Sequence, residues 1–252
     1  VSEAHNRNKC PNCREPLVQS IPIPLAPPSL ADLLVTNNSS IFTENGTIIM
    51  FDNNSIRTAV SNWLLNPVEA EQLYGHINNW NVSRVTNMKE LFQGASCFNQ
   101  PIGNWDVASV VSMECMFRGA SSFNQFIGNW DVSRVLYMGF MFRGASSFDQ
   151  PIGQWDVSSV VSMEGTFGNS SFNQPIDEWD VGSVLDMGFM FCDTSSFDQP
   201  IGQWNVSNVT VMTCMFENSS FNQPIDNWDV SNVTDMEDMF CDASSFNQSI
   251  NW

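Results

Sequence analysis

The residues best suited to chemistry stand near the start of the chain, where two cysteines are separated by two residues. Cys10 and Cys13 have CxxC spacing, and two thiolates at this spacing suit one side of a tetrahedral zinc site. His5 lies just upstream, but its spacing from the pair is wrong for a ligand of the same site. We therefore predict half of a zinc site, with an ordinary reduced cysteine pair as the alternative.

A second set of polar residues recurs along the chain as Asn or Asp followed by Gln. A stacked side-chain oxygen at one position can satisfy backbone groups of the next coil, so we predict a structural ladder, with a ligand-binding ladder as the alternative. The ladder residues are Asn99, Asn124, Asp149, Asn173, Asp198, Asn222 and Asn247.

A carboxylate also follows most of the tryptophans. Asn81 and Asn205 replace it in two repeats, as expected of an Asx turn or cap. A calcium ladder would keep the carboxylate in every coil.

His5 and His76 are the only histidines, and neither lies among the repeats. We predict no catalytic constellation.

A recurring tryptophan reveals the repeats that position these residues. The intervals between successive tryptophans of the array are 25, 25, 25, 24, 25, 24 and 24 residues. A period in this range indicates units that bury their apolar face only by stacking. The predicted structural ladder therefore includes Trp80, Trp105, Trp130, Trp155, Trp179, Trp204, Trp228 and Trp252.

Apolar spacing within one repeat predicts the elements of each coil. Val110, Met113 and Phe117 follow a helical pattern, while Phe98 and Ile102 suit a short extended segment. We predict an α/β repeat solenoid. Its leucine-rich-repeat-like coils of 24–25 residues combine a short strand with a short helix, behind a small N-terminal α/β cap.

Repeats of the form WDVSSVTNMxxMFxGASSFNQPIGN resemble the BspA-type leucine-rich repeats known from mycoplasma lipoproteins. The resemblance implies surface or protein-interaction repeats without catalysis. The segment Cys10-Pro-Asn-Cys13-Arg14 is similar to the closing pair of a RING finger, whose first six ligands would precede Val1. That resemblance implies zinc in a complete parent protein and no cofactor in the array.

The chain divides into four predicted segments. Residues 1–17 read as the incomplete tail of a RING-like zinc module, and residues 18–40 as a Pro-rich linker. Residues 41–76 form a capping segment, with helices over Ser55–Leu65 and Val68–Tyr74. Residues 77–252 form the repeat array. We expect both ends to be truncated, so that open coils associate end to end.

Net charge and unpaired cysteines limit the classes of partner and the compartment that we expect for this chain. The formal charge of −18 argues against nucleic acid, and no segment is apolar enough for a membrane span. Unpaired cysteines favour the cytoplasm, with the cell surface as the alternative. We predict a non-catalytic protein–protein interaction scaffold with an unidentified protein partner. The alternatives are the substrate-recognition arm of a RING-type ubiquitin ligase and a cell-surface adhesion protein.

Overall fold

The computed structural model describes residues 49–252 of the chain. Three short helical segments come first: α1 (Ser55–Leu65), α2 (Pro67–Tyr74) and a 3-10 helix (Ile77–Asn79). From residue 80 onward the backbone consists of turns joined by single parallel β-bridges, and no β-strand occurs in residues 49–252. The predicted α/β repeat solenoid, with coils of a short strand plus a short helix, is therefore wrong. The cap, as far as it is described, is helical and not α/β.

Local sequence explains where the two cap helices meet. Asn66 separates them, and its side-chain oxygen accepts a hydrogen bond from Glu69 N at 3.4 Å. Pro67 stands in the first turn of α2, where its missing N–H leaves no partner unsatisfied. The buried face of α1 carries Trp63, whose ring lies 5.8 Å from that of Trp80 at 90°. The helices thus cover the apolar side of the first coil.

Successive repeats stack on one another in register. The residue before the recurring methionine of each coil pairs with its equivalent in the next coil through a single parallel bridge. Each bridge spans one repeat, so each repeat forms one coil of the stack. The bridges join Asn87 to Ser112, Ser112 to Tyr137, Tyr137 to Ser162, Ser162 to Asp186, Asp186 to Val211, and Val211 to Asp235.

The segment predicted to be helical is a run of turns. Each coil contains two residues with positive φ, four positions apart; in the first coil they are Glu90 at 62° and Gly94 at 70°. A left-handed residue cannot continue a right-handed helix. The remaining pairs are Cys115 and Gly119, Phe140 and Gly144, Gly165 and Asn169, Phe189 and Asp193, Cys214 and Asn218, and Asp238 and Asp242.

The amides of these turns are satisfied in two alternating directions. Phe117 N donates to Met141 O of the next coil at 2.9 Å, whereas Arg118 N donates to Cys115 O of its own coil at 3.1 Å. Every second amide is thus paired across coils, and the amides between them are paired within a turn. Because both directions are used, the backbone needs no helical hydrogen bonds to be satisfied.

Paired phenylalanines form the centre of the core. The rings of Phe117 and Phe123 stack with centroids 4.0 Å apart, and Phe117 lies 5.7 Å from Phe142 of the next coil. In a repeat one residue shorter, Phe167 and Phe172 still stack at 4.1 Å. The missing residue is therefore absorbed by the intervening turn, and the aromatic core stays continuous.

Candidate functional site

The recurring tryptophans connect each coil to the coil before it. Trp130 Nε1, for example, donates to Ile102 O at 3.2 Å, and Trp105 Nε1 donates to Ile77 O at 2.9 Å. The indole bodies lie in the core, and their one donor is satisfied there, as buried indoles require. Seven of these tryptophans are buried, and Trp252 is 40% exposed. The buried members are Trp80, Trp105, Trp130, Trp155, Trp179, Trp204 and Trp228.

The Asn and Asp residues of the predicted ladder lie in one column and bind backbone. Asn124 Oδ1 accepts from Asp149 N of the next coil at 3.1 Å, and Asp149 Oδ1 accepts from Asn173 N at 2.9 Å. Gln150 Nε2 also donates to Asn124 Oδ1 at 2.9 Å. Carboxylate and amide residues thus make the same contact. The backbone bonds run through Asn99, Asn124, Asp149, Asn173, Asp198, Asn222 and Asn247 in order.

The carboxylates after the tryptophans close Asx turns. Asp156 Oδ1 accepts from Ser158 N at 3.1 Å and from Ser158 Oγ at 2.6 Å. The serine hydroxyl and then its amide hold the pKa of Asp156 below its usual value. Asn205 makes the same pair of bonds to Ser207, so the turn does not require a charge. These oxygens are used locally, toward the backbone two residues on.

Cys10 and Cys13 lie outside the described residues, so the half zinc site stays a prediction. In residues 49–252, no group of three or more His, Cys, Asp or Glu side chains is arranged to hold a metal ion. Cys97 is disulfide-bonded. Burial, followed by nearby carboxylates, raises the pKa of Cys192 and of Cys214 to about 12. The free thiols in this part of the chain are Cys115, Cys192, Cys214 and Cys241.

One surface of the stack differs from coil to coil, and sequence reasoning missed it because it treated the segment as a helix. The methionine position is Met in all seven coils, and the Val two positions after each tryptophan is also invariant. By contrast, the three columns next to the methionine vary. The position directly before it holds five residue types, the position directly after it holds four, and the second position after it holds five. The signal that could have revealed this surface is a comparison of the coils column by column.

We call these positions the variable face and define them by four columns around the methionine. Most members are partly or fully exposed, and the buried ones are Cys115, Gly139, Gly165, Gly188 and Cys214. The residues two positions before the methionine are Thr86, Val111, Leu136, Val161, Leu185, Thr210 and Thr234. Those directly before it are Asn87, Ser112, Tyr137, Ser162, Asp186, Val211 and Asp235. Those directly after it are Lys89, Glu114, Gly139, Glu164, Gly188, Thr213 and Glu237. The next are Glu90, Cys115, Phe140, Gly165, Phe189, Cys214 and Asp238.

Opposite charges are unevenly distributed along the variable face. Lys89 Nζ lies 2.7 Å from Glu114 Oε1, the one salt bridge found in residues 49–252. Arg118 and Arg143 flank the Phe140 ring, with guanidinium carbons 5.5 and 5.7 Å from its centroid. Beyond that point the cations stop: residues 144–252 contain 16 Asp and Glu residues and no Lys or Arg.

The geometry of the coils defines a class of protein. It is a repeat protein made of stacked turns, with an aromatic core and a side-chain ladder linking each coil to the next. The family model of a Mycoplasma protein of unknown function, DUF285, matches residues 59–174 and again residues 153–252. Together these matches cover more than half of the chain, which therefore belongs to this family.

The match confirms the resemblance to mycoplasma-type repeats. The BspA-type leucine-rich-repeat and RING resemblances stay predictions. No curated protein and no solved structure matches the chain. None of the helices between residues 49 and 252 is long and apolar enough to cross a membrane.

Proposed function

We propose that this chain is a non-catalytic protein-interaction scaffold that binds its partner through the variable face. The observation that carries the proposal is the contrast between constant and variable columns. Positions that hold the stack together repeat the same residue types, because each coil must meet its neighbour in the same way. The variable face is free of that requirement, and Tyr137 and Leu185 are 45% and 49% exposed there.

The chemistry of the thiols supports a binding role over a catalytic one. A cysteine nucleophile reacts as its thiolate, so catalytic cysteines have a lowered pKa. Burial raises the pKa of Cys192 and Cys214 to about 12, which keeps both thiols protonated at neutral pH. His76 is the one histidine of the described region, and its Nδ1 accepts a hydrogen bond from Asn78 N at 3.3 Å.

Site-specific crosslinking tests the proposal. A photoreactive residue placed at Tyr137 or Thr213 on the variable face should give adducts with another protein in the cells that naturally produce the chain. The matched controls are Gln154 and Gln203, exposed residues just before a tryptophan and away from the variable face. Adducts from the control positions alone, or from none of the four positions, would contradict the proposal.

The two alternative functions stay predictions. The substrate-recognition arm of a RING-type ligase depends on Cys10 and Cys13, which lie outside the described residues. Cell-surface adhesion and end-to-end self-association likewise rest on the sequence and its resemblance. Crosslinking distinguishes them from the proposal by the partner it captures: a second copy of this chain would indicate self-association, and an envelope component of another cell would indicate adhesion.

A further inference from the structure

Four successive coils present aliphatic side chains at one column of the variable face. This aliphatic row consists of Val111, Leu136, Val161 and Leu185. Their backbones are in direct contact: Leu136 N donates to Val111 O at 2.9 Å, Val161 N to Leu136 O at 2.9 Å, and Leu185 N to Val161 O at 3.0 Å. Leu185 is 49% exposed, and the others are half-buried. The row is therefore a continuous, partly exposed apolar strip.

The stack itself does not require aliphatic residues in this column. Thr86, Thr210 and Thr234 fill the same place in the first coil and in the last two. Thr210 N donates to Leu185 O at 2.8 Å, so a threonine makes the same backbone contact as a leucine. The exposed Leu185 therefore adds no backbone contact between coils that a threonine would lack. Contiguous exposed apolar residues of this kind mark interaction surfaces.

Carboxylates border the row, and Arg143 of the preceding coil is the cation that acts on Glu164. Asp186 follows Leu185 directly and forms the parallel bridge with Ser162. Glu164 belongs to the same face, and burial, followed by the charge of Asp186, raises its pKa. Because residues 144–252 hold 16 acidic residues and no Lys or Arg, negative charge predominates beyond Arg143, at the Leu185 end of the row.

We propose that the aliphatic row docks a positively charged amphipathic helix of a partner protein, laid along the stack. This inference rests on the proposed function and names the chemistry of the partner. The apolar face of the helix covers Leu136, Val161 and Leu185. Its Lys and Arg residues lie over Glu164 and Asp186, the carboxylates that border the row.

The spacing of the coils favours a helix over an extended peptide. Bridged backbones lie ~4.8 Å apart. Equivalent core rings such as Phe117 and Phe142 are 5.7 Å apart. One turn of an α-helix advances ~5.4 Å, so residues three or four apart meet successive coils. Same-face residues of an extended chain are ~6.6 Å apart and fall out of register over four coils.

Binding of designed peptides to the full chain tests the inference. The probe is a helical peptide of about 18 residues, with Leu along one face and Lys on the other, long enough to span four coils. The first control has the same composition with its leucines distributed around the helix, and the second has Glu in place of Lys. We expect the patterned cationic peptide to bind at least about tenfold more tightly than either control. Equal binding of the first control, or tighter binding of the acidic one, would overturn the inference.

Two kinds of variant locate the contact. Leu185→Ser should weaken binding of the patterned peptide about tenfold, because one buried leucine accounts for a change of that order. Val68→Ser removes an apolar residue that is 68% exposed on α2, outside the row, and should leave binding unchanged.

Asp186→Asn should weaken binding and flatten its salt dependence. Thermal melts verify that each variant is folded. If Leu185→Ser binds like the parent protein, the row is not the docking site.

The two proposals fail in different ways. If Tyr137 and Thr213 give crosslinks to a protein partner but the patterned peptide has no advantage, the variable face binds partners of another chemistry. In that case the proposed function stands and the cationic-helix inference is wrong.

Discussion

The indole Nε1 of Trp130 donates a hydrogen bond to the carbonyl oxygen of Ile102, 28 residues earlier in the chain and 3.2 Å away. The contact joins the core side chain of one coil to the backbone of the coil before it. Trp155 and Trp179 make the same bond, at 3.2 Å, to Ile127 and Ile152. Each coil is thereby held to its neighbour at a fixed point, independently of the turns between them.

Trp155→Phe should lower the free energy of unfolding by about 0.5–1.5 kcal/mol, because it removes one of two hydrogen bonds to the buried Ile127 carbonyl, which still accepts from Trp130 N at 3.1 Å. Chemical denaturation measures the loss. Trp252→Phe removes an equivalent bond to Ile225, also 3.2 Å long, from an indole that is 40% exposed. The loss there should be smaller. Equal losses would show that burial does not set the cost.

Phe167→Ala should destabilise the chain by about 3–5 kcal/mol, as large-to-small changes in a packed core do. Phe167 is fully buried, and its ring lies 4.1 Å from Phe172 and 5.8 Å from Phe142. Tyr137→Ala, at a side chain 45% exposed, is the control and should change stability by less than about 0.5 kcal/mol. A thermal melt of Phe167→Ala that matches the parent protein would mean that the aromatic core is not closely packed.

Asn124→Ala should cost about 1 kcal/mol, because Asp149 N and Gln150 Nε2 both lose their acceptor. Asn124→Asp should be tolerated, because Asp149 and Asp198 already perform this role in other coils. Urea denaturation of the two variants compares them directly. A larger loss for Asp than for Ala would show that the ladder rejects a charge at this coil.

Asp156→Asn should leave stability at neutral pH nearly unchanged, because Asn205 closes the same turn. The serine hydroxyl lowers the folded-state pKa of Asp156, so its charge stabilises the fold above the unfolded pKa of about 4. That contribution is lost as pH falls through the folded pKa. The variant should therefore lose less stability in acid than the parent, as measured by denaturation between about pH 2 and 6. If calcium stabilised the parent protein but not the variant, Asp156 would bind calcium instead of only closing its own turn.

Glu164→Gln should act in the opposite direction and stabilise the chain at neutral pH. Burial, followed by the charge of Asp186, raises the folded-state pKa of Glu164, so ionisation opposes folding above the unfolded pKa. The gain should disappear as pH falls below about 4, where the carboxyl is neutral in both states. Denaturation midpoints across that range measure it, with Glu178→Gln at an exposed carboxylate as the control. A gain that is independent of pH would reject the electrostatic cause.

The sequence alone determined the repeat length, the side chains of the core and the two cap helices. Helix α1 has the predicted bounds, Ser55–Leu65, because it is an amphipathic segment whose stop signal, Asn66-Pro67, is local. Phe117 and Trp130 are buried as the apolar pattern indicated, since a residue repeated in every coil of a stack meets its own copy.

Only the tertiary structure decided the backbone of the coils and the face they leave free. The apolar spacing of Val110, Met113 and Phe117 suits a helix and a run of turns equally well, because both bring these residues to one side. The hydrogen bonds decide between them, and Phe117 N finds its acceptor at Met141, 24 residues away in the next coil. That partner exists only after the coils have stacked, so no local pattern could predict the turns. A comparison of the coils could find the variable columns, but only the stack shows which of their residues are exposed.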